Sequence, residues 1–194
     1  MHKQFYLLKI KLLDIEPAIW RRFVVPATIP LDRLHEVIQI VMGWTDSHLY
    51  EFIIGNKRYT EDHDSKEDGL ESGRFRLRDL IKQQDSTFSY LYDFSDYWMH
   101  EIVLEESPYF YPEQSPEVVC LEGRRACPPE DVGGLSGYFE FCYSLRVPHH
   151  KEHESNKQWS GGDFDSERFD SGIINSELIK YLYWTRDRYQ TWAY

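Results

Sequence analysis

The sequence predicts an α+β fold, with a mainly antiparallel sheet built from hairpins and packed by an early helix over about 31–43 and by C-terminal helices. Apolar residues alternate in neighbouring stretches separated by short polar turns, which is the period of half-buried strands. Helical spacing appears once near the start and again toward the C-terminus. Strands first and helices last is the order of α+β chains, whereas parallel sheets alternate the two. No compositional break divides the 194 residues, so a single domain over 1–194 is expected.

The elements follow in order. Tyr6, Leu8, Ile10 and Leu12 lie on one face of a strand over 5–13, with Lys9 and Lys11 on the other. Glu16-Pro17 turns the chain into a second strand, Ile19 to Val25. Leu31, Leu34, Val37, Ile38 and Val41 have helical spacing, with Pro30 at the entry and Gly43 at the exit. Residues 48 to 54 alternate, meet Gly55-Asn56 and continue as Lys57 to Thr60, a tight hairpin. Glu61 to Gly73 is acidic and without period, and reads as a loop, with a short helix after it near Leu77 to Lys82. An aromatic hairpin comes next: Phe88, Tyr90, Tyr92 and Phe94, then Trp98, His100, Ile102 and Leu104. Five prolines between Pro108 and Pro129 point to a long ordered connection or a sheet edge. Two helices are expected last, Tyr138 to Val147 and Glu177 to Gln190, the second entered through Asn175-Ser176.

Composition removes several classes. At 41% hydrophobic and 16% aromatic the chain is too apolar for disorder, and no apolar stretch approaches the ~20 residues that span a bilayer. The N-terminal residues carry no signal-peptide pattern, so a cytoplasmic location is expected. Cys120, Cys127 and Cys142 are an odd set, read as free thiols, and the first two are spaced too widely for a zinc knuckle. A net charge of −11 repels phosphate backbones, so nucleic acid is not the expected partner. Nucleotide-binding glycine loops, the nucleophile elbow and H-E-x-x-H are all missing.

Several separated motifs carry a family resemblance. They are Pro17-Ala18-Ile19-Trp20-Arg21-Arg22; Leu34-His35 with Gln39; Gly43-Trp44-Thr45-Asp46-Ser47-His48-Leu49; Tyr92-Asp93-Phe94-Ser95-Asp96 with Trp98 and His100; and Pro128 to Gly134 with Gly137-Tyr138. Together they resemble the plasmid pRiA4b ORF-3-like family over essentially the whole chain. Ser95 stands where that pattern usually has Gly, and Val132 where it often has Cys. The resemblance implies a prokaryotic, mobile-element-associated protein and no defined reaction. The resolvase label of some relatives is not carried over, because no serine within an Arg-rich catalytic face is present.

The residues offer one suggestive group: Asp93, Asp96 and His100, with His48 and the pair Glu130-Asp131 as partners from elsewhere. Carboxylates with imidazole are what a divalent metal ion uses, and the chemistry would be metal-assisted hydrolysis. Against this, His100 shares its strand parity with Trp98, Ile102 and Leu104, which points it toward the core. Glu130-Asp131 before Gly133-Gly134 either presents carboxylates to a ligand or forms a rigid corner. His149 to His153 matches H-x-x-E-H in a polar stretch with no apolar helix to carry it. Leu178, Leu182, Tyr189 and Trp192 fit one helical face, so the C-terminal aromatics read as packing rather than base stacking. Arg21 and Arg22 read as structural ion pairs, and His35 as a satisfied structural histidine. The expected function is a cytosolic binding or interaction module, with a partner protein or small-molecule ligand as its target. The alternative is a divalent-metal hydrolase acting on phosphoesters, centred on Asp93, Asp96 and His100.

Overall fold

A computed structural model describes residues 4–61, 69–112 and 115–190 of the chain, the last five of these as backbone. One eight-stranded sheet organises it, and the strands enter as the sequence orders them. Strands β1 (Phe5–Leu12) and β2 (Trp20–Pro26) form the first hairpin, Leu8 opposite Phe23. Helix α1 (Leu31–Met42) follows, then the hairpin of β3 (Tyr50–Ile54) and β4 (Lys57–Thr60). A two-residue strand β5 (Leu70–Glu71) pairs parallel to β4, and a single 3₁₀ turn, Ser72–Arg74, leads to the short helix α2 (Leu77–Leu80). The aromatic hairpin is β6 (Thr87–Tyr92) and β7 (Trp98–Tyr109), and β8 (Val119–Arg124) completes the sheet. Helices α3 (Gly134–Arg146), α4 (His153–Trp159) and α5 (Ser171–Gln190) come last.

The strand order is β5-β4-β3-β6-β7-β1-β2-β8. All the pairs are antiparallel except β4 with β5. The core lies on the face covered by α1, where the even-numbered residues of β1 and β6 and the apolar stripe Leu31, Leu34, Val37, Ile38 and Val41 are all buried. Phe5, Leu7 and Val24 form a smaller cluster on the opposite face with Tyr109 and Tyr111.

Several elements differ from the sequence reading. Leu70–Glu71 pairs with β4 inside the stretch read as loop, of which residues 62–68 lie outside the described residues. Strand β7 continues past Leu104 to Tyr109, and Pro108, with no N–H for a ladder, sits where the β1–β7 register is irregular. Helix α5 begins at Ser171, because Asp170 Oδ1 accepts hydrogen bonds from the Gly172 and Ile173 amides and caps it. Asn175-Ser176 is therefore inside the helix. Leu178 is buried and Leu182 partly so, as their spacing predicted, while Trp192 and the Tyr189 side chain lie outside the described residues.

Arg21 corrects the expectation of an ion pair. It is buried, and among the described residues it donates to neutral acceptors: Nε to Val41 O (2.8 Å), Nη1 to Trp20 O and Arg124 O, and Nη2 to Arg125 O (2.7 Å). Nη2 also lies 3.8 Å from Cys127 Sγ, and the guanidinium stacks on Phe169. Arg22, on the other face, pairs with Glu105 and Glu122. A buried guanidinium leaves several acceptors unpaired when removed, whereas a part-exposed ion pair is worth about 0–1 kcal/mol. Arg21→Ala should therefore cost about 3 kcal/mol or more in a denaturant titration, and Arg22→Ala less than about 1 kcal/mol. Equal effects would contradict this account.

Candidate functional site

The site forms where three loops meet beyond the ends of β6 and β7. The first is the exit of α1. Gly43 closes the helix in the left-handed region, and Trp44 Nε1 donates to Pro128 O at 3.0 Å. Gln39 Oε1 accepts from the Asp46 amide, and His35 Nε2 lies 2.6 Å from Asp46 Oδ1. His35 Nδ1 lies 2.7 Å from Tyr90 OH, which also receives Gln39 Nε2. Every group in that chain is paired if the Tyr90 hydroxyl donates to Nδ1 and Nε2–H donates to Asp46. His35 is thus a satisfied structural residue, as its sequence context implied. Its hydrogen bond holds the Asp46 carboxyl below its ordinary pKa, against the effect of burial. The same network delivers His48 to the site.

The second loop is the turn between β6 and β7. Asp93 is 2% exposed and has φ 56°, a left-handed conformation that Asp tolerates better than most residues. Its Oδ1 accepts three hydrogen bonds, from Ser95 N (2.9 Å), Ser95 Oγ (2.6 Å) and Asp96 N (3.2 Å). Its Oδ2 lies 3.6 Å from His48 Nε2. Burial alone would raise the Asp93 pKa, but the Ser95 and Asp96 donors and His48 outweigh it and hold the carboxyl below its ordinary value. The positive-φ positions in this turn are Asp93 and Tyr97. Ser95 therefore needs no glycine freedom, and its hydroxyl adds an anchor.

The third loop is Pro128 to Gly134. Glu130 Oε1 accepts from Thr45 N (2.9 Å), Thr45 Oγ1 (3.2 Å) and Tyr92 OH (3.0 Å). Its Oε2 is buried without a hydrogen bond and lies 3.9 Å from His48 Nε2. Asp131 Oδ1 is closest, at 3.2 Å from the same nitrogen, and its side chain is 75% exposed. Asp96 Oδ2 accepts from the Gly133 amide at 3.0 Å and ties this loop to the hairpin. The contact needs glycine at 134, where φ is 67° and a Cβ would come within 2.8 Å of Asp96 O.

Of the sequence candidates, His48, Asp93 and Asp131 converge, each offering a ligand atom within 4.8 Å of the others. Glu130 stands beside them. Asp96 is in the same place with a different task, since its carboxylate is turned to the Gly133 amide. His100 is not in the group. It lies opposite Tyr90 on the core side of β7, is fully buried against Trp44 and Tyr90, and bonds Tyr90 O through Nδ1. Strand parity decides this, because His100 shares a face with Trp98 and Ile102 while the turn carries Asp93 out of the sheet. The trio Asp93, Asp96 and His100 is therefore not brought together. Thr45, Tyr92 and Ser95, the donors that orient the two carboxylates, were missed as site residues although each lies within the motifs that carry the family resemblance.

A second group, Glu140, His150 and Glu152, has similar spacing. There the Glu152 amide donates to His150 Nδ1, so Nε2 carries the proton, faces Glu140 and has no lone pair for a metal. His153, the end of the H-x-x-E-H match, bonds Ser144 O through Nδ1. The three thiols are free, and burial pushes Cys120 and Cys127 up to about 11.

The sequence pattern of the plasmid pRiA4b ORF-3-like proteins matches residues 4–172. The chain belongs to the plasmid pRiA4b ORF-3-like family. An uncharacterized protein of Sinorhizobium fredii, y4hQ, is 43% identical over 175 residues, 88% of this chain and 89% of that one. The crystal structure of MM3350 from Methanosarcina mazei Go1, a protein of unknown function, superposes with a TM-score of 0.81 at 33% identity. The overlap covers 89% of this chain and 97% of that one. The plasmid pRiA4b ORF-3-like match takes in all three site loops and ends inside α5. No helix among the described residues is long and apolar enough to cross a membrane.

Burial drives the His100 pKa down from 6.5 to about 4. The unfolded chain takes up this proton near 6.5 while the folded chain refuses it until about 4. The neutral form thus contributes stability above 6.5 that is lost as pH falls toward 4, on the order of 3 kcal/mol. Unfolding free energies at pH 7.5 and 4.5 should show that fall, and His100→Gln should show a smaller one. An identical fall in both proteins would contradict this placement.

Proposed function

We propose that this protein is a cytoplasmic binding module whose ligand is a divalent cation, held by His48 Nε2, Asp93 Oδ2 and Asp131 Oδ1 with Glu130 Oε2 alongside. One observation carries the reading. Asp93 and Glu130 each fix one oxygen with three donors and leave the other facing His48 Nε2, itself buried without a hydrogen bond. Carboxylates oriented in this way by outer hydrogen bonds are the arrangement of preformed metal ligands. Three carboxylates around one imidazole also need a positive charge. Mixed imidazole and carboxylate donors favour zinc, manganese or ferrous iron over calcium.

A metal-dependent hydrolase is the second reading, favoured by the exposure of Asp131. A cation there would keep water on its open side and lower the pKa of that water. Beside Asp131 runs a groove of about 330 Å³ along α3 and α4, whose walls include Glu140, Phe141, Glu152 and Trp159. None of its lining residues is Lys or Arg, so a phosphoester would depend on the cation for its charge.

Elemental analysis of the gently purified, untagged protein tests both readings. About one divalent ion per chain is expected, lost in His48→Ala and in Asp93→Asn but kept in His100→Gln. A metal-free protein that also shows no melting shift with added zinc or manganese would sink the site. Chelator-sensitive hydrolysis of p-nitrophenyl phosphate, abolished by Asp93→Asn, would select the hydrolase over the binding module.

A further inference from the structure

Helix α4 adds nothing to the core, since none of its residues is buried. It is nevertheless held in a fixed place. His153 Nδ1 donates to Ser144 O at 2.9 Å and Asn156 Nδ2 to Ser144 Oγ at 2.7 Å, and Ser144 is fully buried on α3. Trp159, the last residue of α4, meets Phe141 nearly at right angles, with ring centroids 5.4 Å apart and 80° between the planes. Phe141 is a core residue packed in turn on Phe164, whereas Trp159 is 50% exposed. Core stability does not account for an exposed tryptophan on a helix that buries nothing.

What α4 does build is the outer wall of the groove that begins at Asp131. The ionisable side chains lining that groove are all carboxylates: Asp131, Glu140 and Glu152. Glu140 on α3 and Glu152 at the start of α4 bring an oxygen each within 4.8 Å of the other. His150 Nε2–H approaches Glu140 at 3.3 Å without neutralising it, and Lys151 reaches Glu152 at 3.5 Å from a side chain 81% exposed, a pair worth little. Carboxylates beside an aromatic face complement a guanidinium, which is flat enough to stack on the ring and forked to donate to both acids. An ammonium has no plane to stack, and a phosphate would meet three like charges. At about 330 Å³ the groove is at the small end of ligand sites and suits one side chain. Because it runs along two helices, the backbone bearing that side chain can continue along it. A net charge of −11 draws basic peptides toward the whole surface.

We infer that the groove between α3 and α4 docks an arginine side chain of a basic partner peptide, with its guanidinium on Trp159 and its N–H groups donating to Glu140 and Glu152. None of these three residues belongs to the cation site, which adjoins the groove at Asp131. The peptide is therefore expected to bind with or without a divalent ion.

The test is a calorimetric titration of the chelator-treated full chain, at low salt, with a short acetylated and amidated arginine peptide. The expected result is saturable binding at a single site, weakened about tenfold or more by Trp159→Ala and by Glu140→Gln. A peptide with citrulline, the uncharged isostere, in place of arginine should not bind. Both substituted side chains are at least half exposed, so both variants should melt as the parent does, and Glu140→Gln leaves the shape of the groove unchanged. No saturation by the arginine peptide would overturn the inference, as would equal binding of the citrulline peptide or binding that neither substitution weakens. Agmatine, a free guanidinium, binding as tightly as the peptide would overturn the peptide as occupant.

Discussion

The guanidinium of Arg21 is the interaction on which the rest of this structure depends. It is a permanent charge with five donors, placed in the interior with no carboxylate partner among the described residues, and backbone carbonyls surround it. Those it collects are the last turn of α1 at Val41 and the end of β8 at Arg124 and Arg125. Both places are the starts of site loops. Two residues after Val41 the chain leaves α1 toward His48, and three after Arg125 it enters Pro128 to Asp131. One buried cation thereby sets the separation of two segments more than 80 residues apart, and the β6–β7 turn closes on them through Asp96.

The same logic, one oxygen anchored and one offered, recurs at Asp93 and Glu130. Six donors from four residues, Thr45, Tyr92, Ser95 and Asp96, are spent on two oxygens, while the opposing oxygens face a single imidazole nitrogen. In a folded protein such asymmetry costs stability unless something positive occupies the space, since buried acceptors are normally paired. Left-handed backbone at Asp93 and Asp131 adds to that cost on both sides of His48. That asymmetry is the feature on which the proposed cation site rests.

Much of the fold was legible because apolar period survives burial on one face. β1, β2, α1, β6 and the start of β7 appear where alternation or helical spacing put them, and free cysteines and a structural His35 follow from composition and context. The misses share a cause. β5 has two residues and owes its existence to its partner strand. Helix α5 starts early because Asp170 caps it despite Gly172 in the first turn. Arg21 looked like an ion-pair residue because burial of a strand arginine cannot be read from its neighbours. His100 was grouped with Asp93 by proximity along a hairpin, although its own parity pointed it into the core.

By itself the sequence determined the fold class, the hairpins, the early helix, the family and the residue types from which a site is made. Periodicity, turn chemistry and net charge are local or additive properties, and they are written along the chain. Only the tertiary structure decided which of those residues meet. It joined His48 to Asp93, Glu130 and Asp131, turned Asp96 aside to an amide and buried His100. The reason is physical: each of these outcomes depends on where a backbone turns and which carbonyl or amide lies opposite, and contacts between residues tens of positions apart leave no period in the sequence.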